Sequence, residues 1–403
     1  MKLKRSANLW LPVMVLLLLI GMTFLNLELQ QRFSTADSFA PRWAGARVWL
    51  TQGASPYSEV AVSEAALIQA DHGFEPDPFD QGRVMEPVFY TYLFLPFSLV
   101  NFTIARAIWM TLSEVALIAS VLVGIRLTKV RFHPLEQALA CLLLLVWFPL
   151  PKLILSASIL LPFVFVVLLA CAEALELRST SAGVLFFGMV PESLFLVIFC
   201  SIWLAARRDM RLLQVYLVGL FFLIGTSLIL FPGWIGEWFS NFIRLYPTLN
   251  WIDTPLMRLA AVVPTGEAII AITLHILLAF LILVEWYGLT RLRERQILWK
   301  LLLTLNLVYF FNLTSHGAYL LWAIPALLMG FRFVREKWLL FGRIVSWLSL
   351  FSIVYIYFHK YREVGLFSLR EPTLAVLLLP LITLMGLHWF RWWATESPRP
   401  IPD

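Results

Sequence analysis

Charge is what this sequence has least of: 14% of its 403 residues are Asp, Glu, Lys or Arg, against 60% hydrophobic. Mean hydropathy is +0.81. A soluble fold of this size needs more polar surface to face water, so a water-soluble globular chain is excluded. Cysteine is scarce as well. Cys141, Cys171 and Cys200 all lie in apolar stretches without CxxC or Cys/His spacing, which argues for small hydrophobes and against disulfides or zinc. There is no P-loop, no GxGxxG at a strand–helix junction, no HExxH and no paired DDxxD-type run. ATP-driven, dinucleotide and zinc chemistry are therefore not indicated. Asp71, Asp77 and Asp80 are separated by Pro and Phe and read as a solvated surface rather than a metal cage. No cofactor and no metal site is expected, and the sequence leaves metal dependence open.

What is present in abundance is unbroken apolar chain. Runs such as Val13–Ile20, Leu142–Val146 and Leu374–Leu379 do not alternate as barrel strands do, so helices are the lipid-compatible choice and the predicted class is all-α. Spans are predicted at 9–28, 102–126, 136–151, 153–177, 181–206, 211–231, 266–289, 297–314, 317–331, 341–359 and 373–390. The stretch 88–100 is too short to cross and reads as a re-entrant or surface-lying helix packed on protein. Segment 181–206 is broken by Pro191-Glu192-Ser193 and reads as two short helices that enter and return, giving about 12 passes in a single membrane domain, 1–403.

The net charge of +6 is explained by orientation rather than by nucleic acid. Placing the N-terminus inside collects Lys4, Arg5, Arg126, Lys129, Arg131, Arg178, Arg207, Arg295, Arg332, Arg335, Arg343 and Arg391 in short loops on one side, as the positive-inside bias requires. The expected location is a cell membrane, with both termini cytoplasmic. Loops 29–87, 232–265 and 360–372 then lie outside. The first of these is long for a chain of tight connections, which marks it as functional or disordered. Its Trp43, Trp49 and Tyr57 predict order at the interface, through a short amphipathic helix over about 39–51.

The segment from Asp37 to Tyr57 carries an Asp soon after the first helix, then Ala44 and Arg47, then Gly53-Ala-Ser-Pro56-Tyr57. In this it resembles the first outer loop of the GT-C superfamily of polytopic glycosyltransferases, and specifically glycosyltransferase family 87, the polyprenyl-phosphate-mannose-dependent α-mannosyltransferases. Three further segments are similar to that family's: Glu86-Pro-Val-Phe-Tyr90 onward, Pro232-Gly-Trp-Ile-Gly-Glu-Trp238, and Ser315-His316-Gly-Ala-Tyr319. Two departures stand out. Ser156-Ala157-Ser158 replaces a Gly-Gln pair, and Val190-Pro191 replaces Lys-Pro.

The resemblance implies a GT-C-like fold and transfer of a sugar, mannose first, from a polyprenyl phosphate to an outer-leaflet lipid or glycan acceptor. It implies inversion, an extracytoplasmic active site, and Asp37 as general base. From chemistry alone, a carboxylate at the membrane surface can take the acceptor's hydroxyl proton, yet an Asp beyond a helix end is also commonly a solvated loop residue or a cap. Glu86 either orients an acceptor, holds an Arg or caps a helix. Arg42, Arg47, Arg83, Lys152, Arg244 and Arg258 are the outer cations available to a phosphate. Candidate substrate-binding residues are Arg47, Tyr57, Glu86, Tyr90, Arg258, His316 and Tyr319. The competing readings are a transporter or lipid flippase, whose charges would sit at the membrane midplane, and a family member without activity.

Overall fold

Twenty-seven residues of regular helix, Phe102–Thr128 (α5), provide the axis against which the rest of the molecule is placed. At 1.5 Å per residue α5 is about 40 Å long. The computed structural model describes residues 3–33, 36–77, 80–185, 210–245, 254–261, 266–287, 294–311, 317–365 and 372–395. The broken segment around Pro191-Glu192-Ser193 and residue His316 lie outside them.

The long first helix, α1 (Leu3–Arg32), runs antiparallel to α5. Gln30 Nε2 donates to the Thr103 carbonyl at 2.9 Å, and Asn26 Nδ2 donates to Thr111 Oγ1 at 3.1 Å. The C-terminus of α1 and the N-terminus of α5 therefore share one end of the bundle. Beyond them come a two-residue strand β1 (Ala36–Asp37), α2 (Ala40–Gln52), α3 (Glu59–His72), and β2 (Glu75–Pro76), which pairs in parallel with β1. A 3-10 turn at Val88–Tyr90 leads into α4 (Thr91–Ser98). These elements fold over the start of α5 as a cap. Phe39 is its anchor, in ring contact with Phe94, Phe97, Phe102 and Trp109.

The predicted helix over 39–51 is α2, but it does not lie half-wet on an interface. Its residues from Ala40 to Ala46 are all buried, because α3 packs on one side and α4 on the other. The short 88–100 stretch is indeed a helix packed on protein.

After α5 the chain forms α6 (Pro134–Val146), α7 (Leu150–Leu155), α8 (Leu160–Leu175) and α9 (Ser179–Leu185). The spans expected at 136–151 and 153–177 are thus interrupted, at Pro149 and at Ser156–Ser158, where the polar side chains bond locally to backbone. Then follow α10 (Met210–Leu230), α11 (Trp234–Leu245), α12 (Pro255–Ala260), α13 (Glu267–Trp286) and α14 (Glu294–Phe311). The last group is α15, a 3-10 start at Gly317–Ala323 continued by Ile324–Val364, then α16 (Thr373–Trp389) and α17 (Arg391–Thr395).

Among the described residues five helical segments are long and apolar enough to cross a bilayer: Pro12–Arg32, Phe102–Thr128, Met210–Leu230, Ile269–Trp286 and Gly317–Val364. Their outward faces carry large apolar side chains, among them Leu17, Phe221, Ile229 and Ile276. Such faces are unstable against water and stable against hydrocarbon. The chain is a multi-pass, all-α membrane protein.

The 48-residue segment is not one rod. Leu339 has φ 44° and ψ −114°, and a Cβ on Gly342 would overlap the Val334 carbonyl oxygen. In a continuous helix those two positions would stand about 12 Å apart, so α15 folds back at Leu339 into two arms, as the separate predictions at 317–331 and 341–359 require.

That fold-back lies at the far end of α5. Arg332 donates to the Thr128 carbonyl at 3.0 Å, Arg335 to the Arg131 carbonyl at 3.1 Å, and Arg343 Nε to Glu136 at 3.1 Å. Arg126 reaches Glu176 at 2.8 Å, and Arg295 stacks on Trp393. Among the described residues, Arg126, Arg332, Arg335 and Arg343 are thus brought to one end, the basic end.

Candidate functional site

Asp37 leaves α1 by only a few residues and sits in β1, fully buried. Its Oδ2 accepts the Ala40 amide at 2.7 Å, holding the first turn of α2, and its Oδ1 accepts Arg106 Nε at 2.6 Å. Arg106, one turn into α5 and also fully buried, spends its other nitrogens on Gln30 Oε1 at 3.2 Å and the Leu155 carbonyl at 2.6 Å. Its guanidinium lies 4.1 Å from the Phe74 ring centroid. Gln69 Nε2 donates to the Asp37 carbonyl at 3.1 Å, and the Ser38 amide to the Ser156 carbonyl at 3.2 Å. This ion pair ties α1, β1, α3, α5 and the end of α7 together. In the conformation described, both Asp37 oxygens are occupied and shielded, unlike a carboxylate waiting in a surface loop.

A second buried ion cluster adjoins the first through Ser38, whose carbonyl accepts Arg42 Nη1 at 2.8 Å. Arg42 forks onto Glu86, with Nη2 at 2.5 Å from Oε1, and its Nη1 also bonds Asp80. Two corrections to the sequence reading follow. Asp80 is not solvated but buried, and Arg42 is committed to two carboxylates rather than open to a phosphate. Folding α2 onto the 80–86 turn removes the water that composition alone would have assigned to them. Burial pushes the Asp80 carboxyl up to about 8; Arg42 opposes the shift and Asp77 adds to it. Of the roles open to Glu86, holding an Arg is the one observed. Tyr57 OH donates to the Glu86 carbonyl at 2.6 Å, and burial, then Glu86 and Glu237, raise the phenol well above its ordinary value.

Helix α11 docks beside this cluster. Trp238 Nε1 donates to the Met85 carbonyl at 2.7 Å, Ser55 Oγ bonds Glu237, and Arg244 reaches Glu59 at 3.1 Å. Arg83 meets the same Glu59 at 3.1 Å. Thus 53–88 and α11 converge.

The remaining candidates are more dispersed. Arg47 is half-buried, donating to the Ser98 carbonyl at 3.2 Å with its guanidinium over Trp43. Tyr90 is buried with its ring against Phe89 and Phe163. Arg258, half-buried, is on α12, which packs against α13, α14 and α16. Tyr319 is buried beside Trp322. The start of α15 does approach the Asp37 end. A Cβ on Gly317 would stand 2.6 Å from Pro149 Cγ, so only glycine allows this contact with the head of α7, beyond whose other end the Ser156 carbonyl accepts the Ser38 amide. Among the described residues, no group of three His, Cys, Asp or Glu side chains is placed to hold a metal ion.

Arg106 was missed by sequence reasoning. The available signal was an Arg inside a predicted span, a costly placement that calls for a partner. Comparison with protein-family models, with curated proteins and with solved structures yields no match.

Proposed function

We propose that this chain is a GT-C-like membrane glycosyltransferase of the family-87 kind. It moves a sugar, mannose first, from a polyprenyl phosphate to an outer-leaflet lipid or glycan acceptor, at the end of the bundle capped by α2 to α4. About 12 passes, cytoplasmic termini and an extracytoplasmic site belong to the same proposal. One observation carries it: the carboxylate that follows the first helix is paired with a guanidinium at the junction of the first outer loop, α5 and α7.

In this reading the Asp37–Arg106 pair is the closed, unloaded state. Substrate draws Arg106 from Oδ1 toward the donor's phosphate, for which its planar fork is suited. Asp37 then takes the acceptor's hydroxyl proton as that oxygen bonds to the sugar's anomeric carbon. The bond from that carbon to the phosphate breaks, the polyprenyl phosphate departs with the electron pair, and the anomeric centre inverts. Arg47, Tyr57, Glu86, Tyr90, Arg258, His316 and Tyr319 are assigned to shaping and binding around it.

The test is incubation of the purified protein in lipid discs with polyprenyl-phosphate mannose and a lipid-extract acceptor, reading free polyprenyl phosphate by mass spectrometry. Asp37→Asn alone is ambiguous, because it strands the Arg106 charge. The double variant Asp37→Asn/Arg106→Gln restores neutrality, so it should recover folding yet turn over about 10²-fold or more slowly than wild type. Wild-type turnover in that variant, or no donor consumed by wild type, ends this reading. A transporter reading is favoured by one observation, Glu114, bonded to Asn26 at 3.1 Å two helical turns deeper than Arg106. Substrate flux across vesicles abolished by Glu114→Gln would select it.

A further inference from the structure

At the basic end, α5, α6, both arms of α15 and α16 leave an apolar cavity with about 530 Å³ of unfilled space, its open mouth included. Val121, Phe132, Leu143, Trp147, Leu328 and Leu350 are among its walls. The wall offers almost nothing polar. Charged groups adjoin it at Phe132.

There the Arg335 guanidinium lies 4.4 Å from the Phe132 ring, and the Trp347 indole stacks on the same ring at 6.1 Å. Arg335, Arg343 and Trp347 all converge on a single carboxylate, Glu136, at 3.2, 3.1 and 3.1 Å. Two guanidiniums against one carboxylate leave a positive charge uncompensated. Arg335 Nε is buried without a hydrogen-bond partner, while Arg343 is half-exposed. The Arg131 carbonyl also accepts from Arg335 Nη1, at 3.1 Å. A Trp and an Arg together at a helix end mark the headgroup level of a bilayer. A hydrocarbon-walled cavity joined through Phe132 to surplus cations at that level fits a molecule with an apolar chain and an anionic head.

We propose that this cavity holds one acyl chain of an anionic glycerophospholipid, with the lipid's phosphate on Arg343 and Arg335. The lipid comes from the leaflet at the basic end, the opposite end of α5 from Asp37, so the site is independent of any glycosyl transfer. Its chain fills the space between the two arms of α15 and α6, bracing the fold-back at Leu339.

The full chain is delipidated in detergent and titrated with phosphatidylglycerol or with phosphatidylcholine of the same chains, and bound lipid is counted by native mass spectrometry. One phosphatidylglycerol should be retained with about fivefold preference or more, the size expected of one cation at an anionic headgroup. Arg343→Gln should erase the preference, and Ala140→Phe, which fills the cavity, should abolish retention of either lipid. On the wild-type protein, glycerol phosphate should fail to displace the bound lipid. Equal retention of the two lipids overturns the proposal, as does unchanged retention in a folded Ala140→Phe variant. Full displacement by glycerol phosphate also overturns it, since a headgroup contact alone would then suffice.

Discussion

The two ends of α5 use the same chemistry under opposite conditions. At the Asp37 end, Asp37–Arg106 and Arg42 with Asp80 and Glu86 are shut away from solvent by α2, α3 and α4. At the basic end, Arg126 with Glu176 and Arg343 with Glu136 keep a third or more of at least one partner exposed. Water and salt can replace a partner in these exposed pairs and not in those buried ones. A wet pair is worth about 0–1 kcal/mol. Breaking a buried pair strands a charge, at about 3–5 kcal/mol. Identical-looking pairs therefore differ in strength with their burial, and Arg335–Glu136 at the basic end and Arg244–Glu59 at the cap follow the same rule in reverse.

That contrast is most open to challenge at Arg106. Asp37→Asn should lower stability by about 3–5 kcal/mol, because a buried guanidinium loses its only carboxylate. Adding Arg106→Gln should recover most of that loss, as measured by thermal unfolding in detergent; strict additivity of the two losses would refute the pairing.

Next in size is the fold-back of α15. Gly342→Leu puts a side chain where the Val334 carbonyl lies and should cost about 1–3 kcal/mol through forced backbone shifts. A normal melting curve would mean that the arms can separate freely.

A smaller effect concerns pH. The Asp80 carboxyl has an ordinary value of 3.8 and is pushed up to about 8 in the fold. Between those values the native state holds a proton that the unfolded state has released, so this group's contribution falls as pH rises from about 4 to about 8. Asp80→Asn should flatten that part of the stability–pH curve. A curve unchanged by the substitution would count against a protonated Asp80.

The smallest effect belongs to the basic end. Arg126→Gln should change stability by no more than about 1 kcal/mol, less in high salt. A loss as large as that at Asp37 would erase the contrast between the two ends.

The helices and their order were legible because each apolar run declares itself locally. The helix at 40–52, the short packed helix ending at Ser98, and the two arms of α15 all fall where periodicity and length put them. Breaks at Pro149 and Ser156 were not anticipated, since a hydropathy window averages over a few polar residues. The partners of Asp37 and Arg42 were also illegible. Arg106 is 69 residues from Asp37, and Glu86 is 44 from Arg42, and nothing in the intervening chain marks those pairs. Asp80, in an acidic Pro-containing stretch, looked solvated for the same reason.

By itself, then, the sequence determined residence in a membrane and an all-α class, because hydrocarbon admits no unpaired backbone and each span must satisfy its own hydrogen bonds. The placement of Lys and Arg in short loops also set an expected orientation. Tertiary structure alone decided which carboxylates are buried, which guanidinium each one meets, and where an apolar cavity adjoins surplus charge. Those outcomes depend on water being excluded between segments distant in the chain, and the strength of a charge pair is set by that exclusion rather than by the residues' identities.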